Sequence, residues 1–562
     1  MDRNGAAVAG RFRGWRYGLL LVPLLFLLLF FFYPLASILI VSLAPEGRLD
    51  LSSFAELVSS SYYLNTLWFT IWQATLSTLL TLALALPASY VVARYQFPGK
   101  SLLLSLATLP FVLPTVVVAA AFMALVGPRG LLNEWLMMAF DLDTPPIQLV
   151  RTLPLILIVH VFYNYSLALR MISSFWATQS IRMEEAARVL GAHGWRLWWH
   201  IRLPMLRPAI LAAAILVFSF TFTSFGVILI LGGLQFATLE VEIYRQAISL
   251  FNLPMAAALS LVQIGAMFLM LVLYTRLQRQ TVVDLQSART VARPPQTTRQ
   301  RLLVAVNLII MIVLLFAPLL ALVARAFSSP DGLTTRYFEL LSSNPRGSVL
   351  FVPPLEAVGN SLRFALATTV LSVVLGVIAA YLLSGRRSLL TAWLDPLFML
   401  PLATSAVTLG FGYIIAPLFV STGLRVSPLL IPIAHTLVAM PFVVRSVLPA
   451  LRGIPRSLRE AARVLGASPG QVWRLIDVPL ISRSLIVGAT FAFTVSMGEF
   501  GASLFIARPD TPTMPVVIFR LLGQPGASNY GQALAMSVLL MVVCAVSFIV
   551  IERTRTLGTS EF

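Results

Sequence analysis

The sequence predicts an all-α membrane protein of about twelve transmembrane helices, arranged as two parallel six-helix repeats. Three observations carry that reading. Hydrophobic types make up 58% of the 562 residues and charged types only 11%, against roughly 25% charged in a soluble domain. So few charges cannot clothe a water-facing surface. Apolar runs of the roughly 20 residues needed to cross a hydrocarbon layer about 30 Å thick recur along the whole length. One octapeptide, Glu-Ala-Ala-Arg-Val-Leu-Gly-Ala, stands at 185–192 and again at 460–467, at the same place in two similar hydropathy patterns.

The expected spans of the first half are 18–43, 66–92, 102–126, 152–172, 208–232 and 254–275. Those of the second are 302–324, 361–384, 389–419, 429–450, 484–506 and 532–551. Pro110, Pro114, Pro401 and Pro441 fall inside these runs. A membrane helix tolerates proline where its neighbours re-satisfy the freed carbonyls. The first run follows Arg11, Arg13 and Arg16 and ends near Ser42-Leu43-Ala44, which has the polarity of a signal peptide. A signal's apolar core is only about 7–15 residues, so this longer run is expected to stay as span 1.

Arginine placement sets the orientation. Arg3, Arg11, Arg13 and Arg16 precede span 1, and Arg94 and Lys100 follow span 2. Arg182, Arg188, Arg196, Arg202 and Arg207 lie between spans 4 and 5. Arg276, Arg279, Arg289, Arg293, Arg299 and Arg301 lie between spans 6 and 7. All fall on one side if every span crosses, and that side is cytoplasmic by the positive-inside rule. The opposite loops carry Glu46, Asp50, Glu56, Asp141, Asp143, Glu240 and Glu242. Both termini are then expected in the cytoplasm of a multi-pass protein of the inner membrane. This placement also accounts for the net charge of +18 without nucleic acid as a partner. The lone Cys544 excludes an intrachain disulfide and a cysteine-based metal cluster.

The repeat extends beyond the octapeptide. At the same offset of 275, His160 maps to His435, Arg170 to Arg445, and Phe225-Gly226 to Phe500-Gly501. Both octapeptides lie in Arg-rich loops, so the halves point the same way and each holds an even number of spans. Residues 1–277 and 301–562 are the expected repeats. The polar stretch 278–300, with Pro294-Pro295, is the expected linker.

Each octapeptide opens a longer pattern. In the first copy Glu185-Ala186-Ala187 is followed by Gly191 and then by Ile201-x-Leu203-Pro204. In the second Glu460-Ala461-Ala462 is followed by Gly466 and then by Ile476-x-Val478-Pro479. Glu-Ala-Ala favours a helix with a small-residue face, and the glycine lets the chain reverse after it. An amphipathic helix lying on lipid would also carry arginines, but it needs no fixed Gly and Pro spacing. The pattern resembles the cytoplasmic "EAA" loop of binding-protein-dependent ATP-binding-cassette importer permeases. The resemblance covers nearly the whole chain as two fused permease units, with Val478 for the usual Leu as the one departure. It implies that the chain lines the translocation path and is not itself an enzyme. It implies that each loop docks a copy of a separate ATP-binding subunit, and that an extracytoplasmic solute-binding protein delivers the solute. ATP and Mg would be used by those partners, with no cofactor on this chain. Gly99-Lys100-Ser101 has the tail of a phosphate-binding loop, but Arg94 stands where its first glycine belongs.

Polar residues inside the spans are the remaining candidates. Glu499, beside Gly498, lies within an apolar run and maps to Ser224. An intramembrane acid faces a bundle interior or a cavity, so two readings stand: a lining residue of the path, or a brace between helices. His160 and His435 suit interhelical hydrogen bonding, and nothing in the sequence sets a carboxylate beside either. Leu231-Gly232-Gly233 with Thr238-Leu239-Glu240-Val241-Glu242-Ile243-Tyr244 resembles the thiamine-importer subgroup. Gly498-Glu499-Phe500-Gly501-Ala502-Ser503 is shared with the ferric-iron subgroup. Thiamine (or its phosphates) and ferric iron both stay open as substrate. A secondary transporter with two parallel six-helix halves is the alternative class; it would need no docking motif.

Overall fold

The structure is a computed structural model that describes residues 18–556 apart from 20, 46, 180, 281–291, 330–331, 344–349 and 386–388. The arginines expected before span 1, Glu46 and the middle of the linker lie outside the described residues. Among those described, eleven helices are long and apolar enough to cross a membrane. The pair Leu394–Leu402 and Ala406–Ile415, bent by 92° at its break, brings the number to twelve when counted as one broken span. The expected all-α architecture is therefore present. The only strands described are a two-residue antiparallel hairpin, with Ser328 opposite Leu333 and Ser329 opposite Gly332.

Each half is built on one tight group. In the first, span 2 (Ser61–Arg94) packs on span 4 (Leu153–Thr178), and both pack on span 5 (Leu203–Phe222). In the second, span 8 (Glu356–Leu383) packs on span 10 (Leu430–Gly453), and both pack on span 11 (Val478–Gly498). Small residues let the backbones approach. A Cβ added to Gly376 of span 8 would lie 2.8 Å from Cβ of Val443 in span 10.

The halves interlock by exchanging their first helices. Span 1 (Leu21–Leu43) packs against the Ala406–Ile415 piece of span 9. Tyr413 Oη donates to the Phe30 carbonyl at 3.0 Å, and the Leu418 amide donates to Tyr33 Oη at 2.9 Å. Reciprocally, span 7 (Thr298–Ala326) packs against the Thr115–Val126 piece of span 3. Arg325 pairs with Glu134 at 2.7 Å on that side.

Four expected continuous spans are interrupted. Span 3 is three pieces, Lys100–Leu106, Leu109–Val112 and Thr115–Val126, because Pro110 and Pro114 cannot donate to the helix ladder. Span 9 breaks between Leu400–Ala403 and Ala406–Ile415. Span 5 ends at Phe222, short of the expected 232, and span 11 breaks at Glu499-Phe500. Two further short helices, Leu239–Tyr244 and Met514–Leu522, begin 275 residues apart and are buried. Their first amides are capped alike. Leu239 N donates to Thr70 Oγ1 of span 2 at 3.0 Å, and Met514 N to Ser361 Oγ of span 8 at 2.8 Å. Glu240 and Glu242, expected in an exposed loop, are therefore buried: Glu242 accepts from Tyr62 Oη at 2.7 Å and from Gln246 Nε2 at 2.6 Å.

Gly376→Ala is expected to cost about 1–3 kcal/mol through overpacking and to lower the unfolding midpoint in detergent. Gly359→Ala, on the same helix with nothing within 4 Å of the added Cβ, should not. Equal midpoints for the two variants would contradict the close approach of spans 8 and 10.

Candidate functional site

The two repeated octapeptides fold alike. Ile181–Val189 and Arg456–Val464 are short helices. Each ends in a left-handed glycine, Gly191 at φ +84° and Gly466 at φ +86°, a conformation that costs any other residue roughly 1–2 kcal/mol. The closing hydrogen bonds match: Ala192 N donates to the Ala187 carbonyl and Ala467 N to the Ala462 carbonyl, both at 2.9 Å. That bond fixes the reversal of the chain.

Burial then sorts the motif residues. Glu185, Ala186, Glu460 and Ala461 are exposed, while Ala187 is buried and Ala462 half-buried. Ile201, Leu203, Ile476 and Val478 are half-buried at the feet of spans 5 and 11, with Pro204 and Pro479 exposed in the first turn. The largest exposure falls on residues that motif reasoning passed over. Val189 and Leu190 are each 88% exposed, and Val464 and Leu465 each 86%. An exposed apolar pair stands at the tip of each loop, in the same place in both halves. The signal was present in the octapeptide, whose Val-Leu precedes the glycine.

Span 5 and span 11 carry the loops' attachment to the centre of the molecule. A helix of 20 residues such as Leu203–Phe222 is about 30 Å long, and the helix breaks at 223–225 and 499–500 lie at its far end. There the halves meet. Phe225 and its repeat counterpart Phe500 stack on one another, centroids 5.6 Å apart at 28°, so the pseudo-twofold axis passes between them. A Cβ on Gly226 would lie 2.4 Å from Thr115 Oγ1, and one on Gly498 3.1 Å from Pro114 Cγ. The breaks of spans 3, 5 and 11 are thus seated in one another.

A cavity of about 440 Å³ runs back from this stack between the halves. Ser224, Gly498 and Glu499 all line it, as do Glu240, expected in a loop, and the previously unremarked Thr115 and Ser405. Phe220, Phe225, Phe442, Phe491 and Phe500 supply ring surface, and among the described lining residues there is no Lys or Arg. Glu240 is buried on Leu239–Tyr244 and accepts from the Gln263 side-chain amide.

Glu499 both lines and braces. Its Oε1 accepts from Ala502 N at 2.9 Å, and its Oε2 from Ser503 N and Ser503 Oγ at 2.9 Å each. It satisfies amides that the break in span 11 leaves open. Folding also sets this carboxylate 3.2 Å from Nε2 of His435, the neighbour that sequence could not supply. His435 Nδ1 lies 2.8 Å from Ser496 Oγ. In the first half His160 joins Ser77 at 3.0 Å to Ser224 at 2.8 Å, and the freed Thr221 carbonyl accepts from Gln73 Nε2 at 3.0 Å. The two halves close equivalent breaks with different chemistry.

A family model described as binding-protein-dependent transport system inner membrane component matches residues 85–283 and again residues 372–554. The thiamine transport system permease protein of Salmonella typhimurium is 27% identical over 91% of this chain and 91% of its own length. That of Haemophilus influenzae is 26% identical over 95% of each. A bacterial alginate ABC transporter, crystallised with an alginate pentasaccharide-bound periplasmic protein, matches 48% of this chain and 95% of its own, at 18% identity and a TM-score of 0.39.

Glu499→Ala removes the acceptor of three hydrogen bonds and should destabilise the protein by about 2–3 kcal/mol, the range for losing bonds to a charged group. Ser224→Ala should cost less, and thermal unfolding of both variants in detergent checks the order. A Glu499 variant as stable as wild type would leave it a lining residue only.

Proposed function

The chain belongs to the family of binding-protein-dependent transport system inner membrane components, and on that premise we propose that it forms the complete membrane channel of an ATP-driven importer. Two family units in one polypeptide supply both halves of the path. On this reading residues 1–277 and 301–562 are the two units, 278–300 joins them, and both termini are cytoplasmic. Each repeated loop docks one copy of a separate ATP-binding subunit, which hydrolyses ATP. A solute-binding protein presents the solute at the opposite face.

The observation that carries this is the pair of matching loops, each presenting an exposed Val-Leu on a short helix ended by a left-handed glycine. Apolar side chains at this exposure mark a surface that a partner covers. Closure of two ATP-binding subunits would move the two loops relative to one another. Spans 5 and 11 would carry that movement to the Phe225–Phe500 stack and to the cavity behind it, alternating access between the two faces.

We infer that the solute is thiamine. The thiamine permeases named above align over nearly their whole length. The cavity offers five phenylalanine rings and two carboxylates, Glu240 and Glu499. Aromatic faces and carboxylates suit a flat organic cation, and the thiazolium ring of thiamine carries a permanent positive charge. Glu499 and Ser224 then serve as lining groups of the path.

Reconstitution in liposomes with the ATP-binding subunit and the binding protein tests both levels. ATP-dependent uptake of thiamine is expected. Uptake of ferric iron instead would replace the substrate, and uptake without any ATP-binding subunit would favour a secondary transporter. Burying one leucine contributes about 1.5–3 kcal/mol. Leu190→Ser with Leu465→Ser should therefore weaken co-purification of the ATP-binding subunit by about tenfold or more, with the unfolding midpoint unchanged. Unaltered association would remove these tips from the docking surface.

A further inference from the structure

We propose that a sign-reversed ion pair is the strut that makes each coupling helix move as one body with the span behind it. The proposal rests on the reading of the two loops as docking sites for the ATP-binding subunits. In the first half the pair is Glu184 with Arg202, 3.0 Å apart. In the second it is Arg459 with Asp477, 2.7 Å apart. Glu184 and Arg459 occupy the same repeat position, as do Arg202 and Asp477, both at the offset of 275 that relates the octapeptides. The acid sits on the helix in one half and on the span in the other.

The two halves thereby act as a charge-reversal experiment within one molecule. Neither the negative nor the positive group is kept at either position. What is kept is the attraction between the positions, and the geometry that allows it. Both pairs fall in places that the motif leaves open. Glu184 and Arg459 immediately precede the Glu of Glu-Ala-Ala, and Arg202 and Asp477 are the unspecified residues of Ile-x-Leu-Pro and Ile-x-Val-Pro.

The placement is mechanical. Arg202 and Asp477 each end a π-helical turn, Trp198–Arg202 and Trp473–Asp477, directly before the long helices that lead to the cavity. Covalently, the coupling helix reaches that point only through a reversal at a left-handed glycine and a few further residues. Backbone hydrogen bonds set that reversal, and the ion pair adds a direct side-chain link between the helix and the foot of the span. Glu184, Arg202 and Asp477 are buried and Arg459 is half-buried, so loss of Glu184 or of Arg459 leaves a buried charge without this partner. The surroundings differ in detail. Glu184 also pairs with Arg94 at the end of span 2, and the Arg202 guanidinium lies 4.8 Å from the Tyr90 ring and 5.1 Å from the Trp198 ring. Arg459 also reaches the Leu451 carbonyl at 3.4 Å.

The second half gives the clean test, since Arg94 stands beside the pair in the first. Three variants, Arg459→Glu, Asp477→Arg and the two combined, are reconstituted with the ATP-binding subunit and binding protein. Co-purification of the ATP-binding subunit with the wild-type chain comes first; its absence would remove the docking reading, whatever the strut does. Each single change places like charges together, and thiamine uptake per ATP hydrolysed is expected to fall by about tenfold or more. The double change restores attraction with the polarity of the first half and is expected to recover uptake to within about threefold of wild type. Where a single variant fails to fold, the neutral pair Arg459→Gln with Asp477→Asn replaces it. That pair should assemble and hydrolyse ATP yet transport less per ATP. Singles or a neutral pair that transport like wild type would overturn the proposal, as would an assembled double variant that recovers nothing. The matching exchange Glu184→Arg with Arg202→Glu should recover less, because residue 184 would then face Arg94.

Discussion

A polypeptide crossing lipid must satisfy every backbone amide and carbonyl from within, and the centre of this molecule is organised around four places where that rule is strained. Spans 3, 5, 9 and 11 are all broken. Each break exposes backbone groups that continuous helices would have paired, and breaks of spans 3, 5 and 11 are buried against one another between the halves. The repair is made by side chains from packed neighbours: Gln73 serves the carbonyl of Thr221, and Glu499 serves the amides of Ala502 and Ser503. Ser361 and Thr70 cap the short helices that follow. Broken backbone at this depth is tolerated where it lines a cavity, and the cavity lies there.

The same breaks let a duplicated chain become asymmetric without losing its axis. Phe225 and Phe500 meet as equivalents across the pseudo-twofold. One residue earlier the equivalence ends, with Ser224 against Glu499. Both halves hold a histidine between two serines at the break, Ser77–His160–Ser224 and Ser496–His435–Ser503. Only the second adds a carboxylate, Glu499, beside the histidine. Glu240, for which the second repeat has Pro515, adds a second carboxylate from the other half. The two acids line one cavity from different halves and at non-equivalent repeat positions, whereas in a symmetric dimer of one unit each acid would appear twice.

At the other end of spans 5 and 11 the symmetry is stricter. The short loop helices, their left-handed glycines, their exposed Val-Leu tips and the π-helical turns beneath them repeat at one offset.

Hydropathy, arginine placement and the octapeptide determined the all-α class, the approximate number of spans, the parallel duplication and the position of the two repeated loops. These follow from local composition and from period, since lipid imposes length and polarity on every crossing segment independently of its neighbours. The breaks were only half legible. Pro110, Pro114 and Pro401 marked spans 3 and 9, but Ser224 and Glu499 carried no breaker that reads as one in an apolar run. The burial of Glu240 and Glu242, the carboxylate beside His435 and the reversed pairs Glu184–Arg202 and Arg459–Asp477 were decided by tertiary structure alone. Each joins residues from separate elements. Whether a charge faces water, lipid or an opposite charge depends on which helices pack together, and that is a property of the assembled chain rather than of any segment in it.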